Sequence, residues 1–109
     1  MKNVAFRGSS LSDLRDFPGP VKRETGYQID RVQNGLDPND WKPMEAIGAG
    51  VKDIRVKDQS GIYRVLYVAK FEETIYALHC FKKTTPKTSK ADKDLAAKRY
   101  KDLLKELRK

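Results

Sequence analysis

The chain has 109 residues, 23 Lys and Arg against 15 Asp and Glu, a formal net charge of +8 and a pI near 9.6. That length supplies one hydrophobic core, and its apolar runs fall far short of the ~18–20 residues of a membrane-spanning helix. One Cys and one His leave no material for a disulfide framework or a Cys/His metal centre, and residues 1–10 lack the apolar run of a secretory signal, so a cytoplasmic protein without metal, cofactor or membrane contact is expected.

Val4-Ala5-Phe6 reads as a first strand. Ser10 is expected to cap a short helix, with Asp13 three positions on, and Phe17-Pro18-Gly19-Pro20 stops it. A second helix runs from Pro20 or Val21 to Asn34. Its stripe is Thr25, Ile29, Val32 and Leu36, and Asn34-Gly35 ends it. Gly26 weakens that helix by about 1 kcal/mol relative to Ala. Residues 37–50, rich in Pro and Gly, read as a connector whose Trp41 and Met44 fold back onto the core.

The period then changes from 3.6 to 2. Residues 51–57, 62–70 and 74–81 read as three strands, separated by turns at Asp58-Gln59-Ser60-Gly61 and Phe71-Glu72-Glu73. Such short connections mean antiparallel pairing. Residues 82–90, polar and broken by Pro86, read as a loop. Ser89 caps a last helix with Asp92 at its third position, and Leu95, Tyr100, Leu103, Leu104 and Leu107 form its stripe. The order is β-α-α-β-β-β-α, an α+β domain spanning residues 1–109 with helices packed on a small, mainly antiparallel sheet.

Charge is unevenly placed along this order. Residues 1–81 carry 12 basic and 11 acidic side chains, whereas residues 82–109, the basic loop and C-terminal helix, carry 11 and 4. Such asymmetry fits a polyanionic partner, nucleic acid first and an acidic protein second; a solvated basic tail accounts for the same numbers. Arg55 and Lys57 alternate on one strand and so share a face. Arg64 sits inside the apolar run Tyr63-Arg64-Val65-Leu66-Tyr67 and needs a partner carboxylate or a ligand there. Lys82, Lys83, Lys87 and Lys90 follow the last strand.

A sheet face lined by such groups suits an RNA backbone, since each cation neutralises a phosphate. It could also support cleavage. RNA carries its own nucleophile, the 2′-OH, which a basic site can align with phosphorus while its donors stabilise the phosphorane. A Lys whose pKa is lowered by like charges can take the proton, and another cation can serve the 5′-oxygen. His79 is the general acid–base candidate by its ordinary pKa, although a His in the run Tyr76-Ala77-Leu78-His79-Cys80-Phe81 is more commonly structural. Cys80 reads as a small core hydrophobe on the opposite strand face. There is no acidic pair for glycosidase chemistry. Gly48-Ala49-Gly50 lacks the Gly-Lys-Ser/Thr ending of a phosphate loop and precedes a strand.

These residues fall into a pattern that resembles the phage-derived HigB-like branch of the RelE/HigB toxin superfamily. The segments that carry the resemblance are Phe6-Arg7-Gly8-Ser9-Ser10-Leu11-Ser12-Asp13-Leu14, Gln33-Asn34-Gly35-Leu36-Asp37-Pro38-Asn39-Asp40-Trp41-Lys42-Pro43-Met44, Gly61-Ile62-Tyr63-Arg64-Val65-Leu66-Tyr67 and Leu78-His79-Cys80-Phe81-Lys82-Lys83-Thr84. The resemblance implies a RelE-like fold and the toxin of a type II toxin–antitoxin pair. It further implies an endoribonuclease that cuts translated mRNA in the A site of the 70S ribosome, without metal, through a 2′,3′-cyclic phosphate. The implied partners are a helix-turn-helix antitoxin, mRNA, ribosomal RNA and, only through the antitoxin complex, operator DNA.

Carried over residue by residue, the resemblance gives Arg64 the phosphate-stabilising role and Lys83 the transition-state role. Lys82 and His79 join them as catalytic candidates, and Arg55, Lys57, Lys87 and Lys90 as RNA contacts. The loop after Lys83 offers only Thr84, Thr85, Thr88 and Ser89 where some members of the superfamily place a Tyr or His, so the general acid and base stay unassigned. A non-catalytic RNA- or ribosome-binding module, or an inactive relative, would show the same basic face.

Overall fold

The structure, a computed structural model, describes residues 1–108. Its elements are β1 (Asn3–Phe6), α1 (Ser10–Arg15), α2 (Gly19–Gln33), β2 (Trp41–Pro43), β3 (Val51–Asp58), β4 (Gly61–Val68), β5 (Thr74–Lys83) and α3 (Lys90–Leu107). The strands form one five-stranded sheet in the order β1-β5-β4-β3-β2. β1 lies parallel to β5, and the other neighbours are antiparallel. The α+β class expected from the sequence is the class observed, with one strand more than expected.

Each sheet face has its own core. Ile54, Val56, Tyr63, Val65, Ile75, Ala77 and Cys80 pack with Leu14, Phe17, Val21, Ile29 and Val32 of the α1–α2 segment. On the other face Val51, Leu66, Val68, Leu78 and Phe81 pack with Ala96, Tyr100 and Leu103 of α3. β4 and β5 feed both cores, which is why they carry apolar residues on both faces, whereas β3 gives Ile54 and Val56 to one core and Val51 to the other and is otherwise charged.

The hairpin between β3 and β4 turns where the sequence places it. Asp58 accepts from the backbone N–H of Ser60 at 3.0 Å and from its hydroxyl at 2.6 Å. Gly61 follows at φ +143°, a conformation costly for other residues.

Several boundaries differ from expectation, each for a local reason. The connector contains β2, whose three residues pair with Lys52, Asp53 and Ile54; a strand this short has no periodicity to read. β5 runs on to Lys83 because β4 continues to pair with it, so Lys82 and Lys83 are strand residues, not loop. Ser10 is the first residue of α1 rather than its cap. Ser9 precedes the helix, donating its hydroxyl to Asp13, while the Ser10 hydroxyl turns inward to the Ala77 carbonyl. α2 begins at Gly19, since Pro20 suits the first helical turn. Leu36 lies past its end and is exposed. In α3 Tyr100 and Leu103 are buried, but Leu95 and Leu107 flank the stripe and face solvent. The Ser89–Asp92 cap is as expected. Met44 packs against the α3 core, and Trp41, half-buried, carries the Lys52 ammonium 4.4 Å above its ring.

Gly48 marks the tightest packing. A Cβ there would collide with the Cδ2–Cε2 edge of the buried Tyr100 ring. The ring cannot easily move, because its hydroxyl donates to the Ala49 carbonyl at 2.6 Å. Gly48→Ala is therefore expected to cost about 1–3 kcal/mol through overpacking. Thermal unfolding checks it: the midpoint should fall by roughly 4–8 °C for each kcal/mol lost, and an unchanged midpoint would show that the ring has room to move.

Candidate nucleic-acid interface

Strand register assembles the site row by row on the face that α3 covers. Lys57, Ile62 and Lys83 stand opposite one another across β3, β4 and β5. The next row is Arg55, Arg64 and Phe81, and the next is Lys42, Asp53, Leu66 and His79, with Lys42 supplied by β2. Beyond it, Val51 and Val68 continue into the α3 core. One half of this sheet face is thus apolar and covered by a helix, and the other half carries cations.

Beneath the cations lies a buried ion pair. Arg64 is 1% exposed and Asp53 is 0% exposed. The Arg64 guanidinium donates from Nη1 to Oδ2 of Asp53. Arg64 Nε and Nη2, Asp53 Oδ1 and Arg55 Nε are also buried and have no hydrogen-bond partner among the described residues. The carboxylate anticipated for Arg64 is therefore Asp53. Burial pushes the Asp53 carboxyl above its ordinary range, more than Arg64 and the nearby Lys42 and Arg55 draw it down.

Lys83 is half-buried above this pair. Burial, then the charges of Arg64, Lys42 and Arg55, lower its ammonium pKa from the ordinary 10.5, with Asp53 opposing. Three cations thus act on Lys83 over one patch, with Asp53 offsetting part of their effect. Their mutual repulsion is an electrostatic cost that an anionic ligand would offset.

The structure brings together Arg55, Arg64 and Lys83, with Lys57 exposed at the end of the Lys83 row. It separates Lys82, which points to the opposite face, 5.9 Å from the Tyr63 ring centroid. There Lys82 lines a cleft of about 530 Å³ with Asp13, Asp16 and Phe17. His79 is 6% exposed and stacks on Phe81 at 4.6 Å. Its Nε2 meets Oδ1 of Asp92 at 2.7 Å, and Oδ2 of Asp92 accepts from Ser89. His79 thus braces β5 against the capped start of α3. Lys87 is exposed in the loop after β5. Lys90 is also exposed, and it pairs with Asp94 at 2.7 Å on the surface of α3.

Sequence reasoning missed Lys42 and Asp53. Asp53 had a signal, since it alternates with Arg55 on a strand whose neighbour carries an unpaired Arg. Lys42 had none, because β2 could not be read. The clustered cations suit this face to contact anionic groups such as phosphates.

A family model described as phage-derived protein Gp49-like (DUF891) matches residues 12–101, from within α1 to within α3. No curated protein matches the chain.

Proposed function

The chain belongs to the Gp49-like family of phage-derived proteins, a toxin-like family related to RelE/HigB-type toxins, and on that premise we propose that it is the toxin of a type II toxin–antitoxin pair, acting as a ribosome-dependent endoribonuclease on translated mRNA. The observation that carries this reading is the gathering of Arg55, Lys42 and Lys83 over the buried Arg64–Asp53 pair. A cationic patch with one lysine shifted toward its neutral form supplies both parts of phosphodiester transesterification.

In the proposed reaction the mRNA backbone lies across the patch. Lys83, when neutral, takes the proton of the 2′-OH. The 2′-oxygen attacks phosphorus in line, the P–O5′ bond breaks, and a 2′,3′-cyclic phosphate is left. Arg55 and Lys42 contact the phosphorane oxygens, whose added negative charge they offset. Arg64, held below the surface by Asp53, raises the potential from beneath rather than by touching substrate. A proton for the 5′-oxygen comes from a neighbouring ammonium or water. Residues 1–109 act as one domain in the cytoplasm, and no metal takes part. Among the described residues no helix is long and apolar enough to cross a membrane.

A helix-turn-helix antitoxin would silence the patch by covering it, and operator DNA would be reached only through that complex. A non-catalytic ribosome-binding module is the second reading, favoured by the engagement of His79 with Asp92 and the burial of Arg64.

Primer extension on a defined mRNA, with and without programmed 70S ribosomes and in the presence of EDTA, separates the two. Cuts confined to ribosome-bound message, persisting in EDTA, are expected. Folded protein that yields no cuts under either condition would leave the binding module standing.

A further inference from the structure

A second cationic feature adjoins the patch and shares Lys42 with it. A groove of about 420 Å³ runs between β2 with the turn after it and the start of α3. Lys42, Glu45, Lys87, Thr88 and Lys93 line it. Three ammonium groups face one carboxylate, and Glu45 is exposed. Lys42 is shared: its charge acts on Lys83 and Asp53, and it also lines the groove. The groove therefore continues from the patch rather than standing apart from it.

Its far wall is the first turn of α3, an 18-residue helix capped by Ser89, whose aligned peptide dipoles present partial positive charge at that end. The Asp92 carboxylate in the same turn is engaged by His79 and Ser89 and does not line the groove. Thr88, 8% exposed, contributes to the lining, and its Oγ1 has no partner among the described residues.

We propose that this groove is a second phosphate subsite, which holds the backbone of single-stranded RNA at a phosphodiester neighbouring the one over Lys83. The inference rests on the nucleic-acid reading above and extends it to where the strand leaves the patch. Lysines suit the task because they contact phosphate as rotatable point charges and read no sequence. The groove thus adds affinity, while sequence preference comes from elsewhere.

The test is fluorescence anisotropy with a labelled single-stranded 2′-O-methyl oligoribonucleotide, which cannot be cut because it has no free 2′-OH. Wild type is compared with Lys87→Ala/Lys93→Ala, two groove lysines outside the patch, and with Lys22→Ala/Arg23→Ala. The latter pair is exposed on α2, on the opposite side of the sheet, and removes the same charge. Circular dichroism melts confirm that both variants fold.

The groove variant is expected to bind about 10-fold more weakly near 0.1 M salt, with a log–log salt slope shallower by about 0.7–1.4, while the α2 variant changes little. Equal weakening in both variants would reduce the effect to net charge and overturn the subsite. A groove variant that binds like wild type, which itself binds, removes the subsite and leaves the nuclease reading intact. Wild type that fails to bind this RNA, or binds oligoglutamate in its place, overturns the subsite and counts against the nucleic-acid reading as well.

Discussion

Lys83→Ala is expected to lower ribosome-dependent cleavage by about 10²- to 10⁴-fold, the usual contribution of a positioned proton-transfer group. The fold should survive, since the side chain is half-buried and no core residue depends on it. Lys83→Arg distinguishes charge from proton transfer. A guanidinium keeps the positive charge but does not give up its proton, so a site needing charge alone would be largely rescued, and one needing a base would not.

The pH profile supplies the second readout. The Lys83 pKa is lowered from 10.5 by burial and then by Arg64, Lys42 and Arg55. A base with a depressed pKa has a larger neutral fraction at a given pH, so the rate should climb as pH rises through that pKa. Lys42→Ala removes one of the charges that depress it. The ammonium is then held more firmly, and the rising limb should move to higher pH. Single-turnover rates on stalled ribosomes over a pH series would show this, and a limb unmoved in Lys42→Ala would argue against Lys83 as the base.

How much of this was legible in the sequence follows the range of the interactions involved. The β3–β4–β5 meander was readable because period-2 alternation and short turns are local properties. Arg55 and Lys57 could be put on one face from their spacing alone. The end of β5 was not readable: Lys82-Lys83-Thr84 has the composition of a loop, and only pairing with Ile62 and Tyr63 keeps Lys82 and Lys83 in the sheet. That pairing also splits the two lysines onto opposite faces, because adjacent strand residues alternate. The parallel pairing of β1 with β5, about seventy residues apart in the chain, leaves no local trace. The sequence did require a partner for Arg64 but could not choose it, since register decides which carboxylate lies within reach.

That partner is where the largest loss of stability is expected. Asp53→Ala removes the carboxylate and leaves the Arg64 cation 1% exposed in the sheet, with Nε and Nη2 already unpartnered. Breaking a buried pair in this way costs about 3–5 kcal/mol, a large share of the roughly 5–15 kcal/mol of a typical domain. Urea unfolding should show it as a lower midpoint at unchanged slope, and a loss under 1 kcal/mol would mean that water reaches Arg64. Replacing both partners, as Asp53→Leu/Arg64→Met, removes the isolated charge and should recover most of the loss, because an apolar pair of similar volume carries no desolvation cost. The double variant then separates two roles that the single one confounds. If the pair serves only the fold, a stable double variant keeps its RNA affinity and cleavage. If the buried guanidinium also sets the potential under Lys83, the same stable protein loses most of its cleavage and its rising pH limb moves upward, since losing Arg64, which lowers the Lys83 pKa, outweighs losing Asp53, which raises it less. The second outcome is the one expected: Arg64 depresses that pKa more than Lys42 or Arg55 does, and a purely structural core would reach the same stability without burying a charge there.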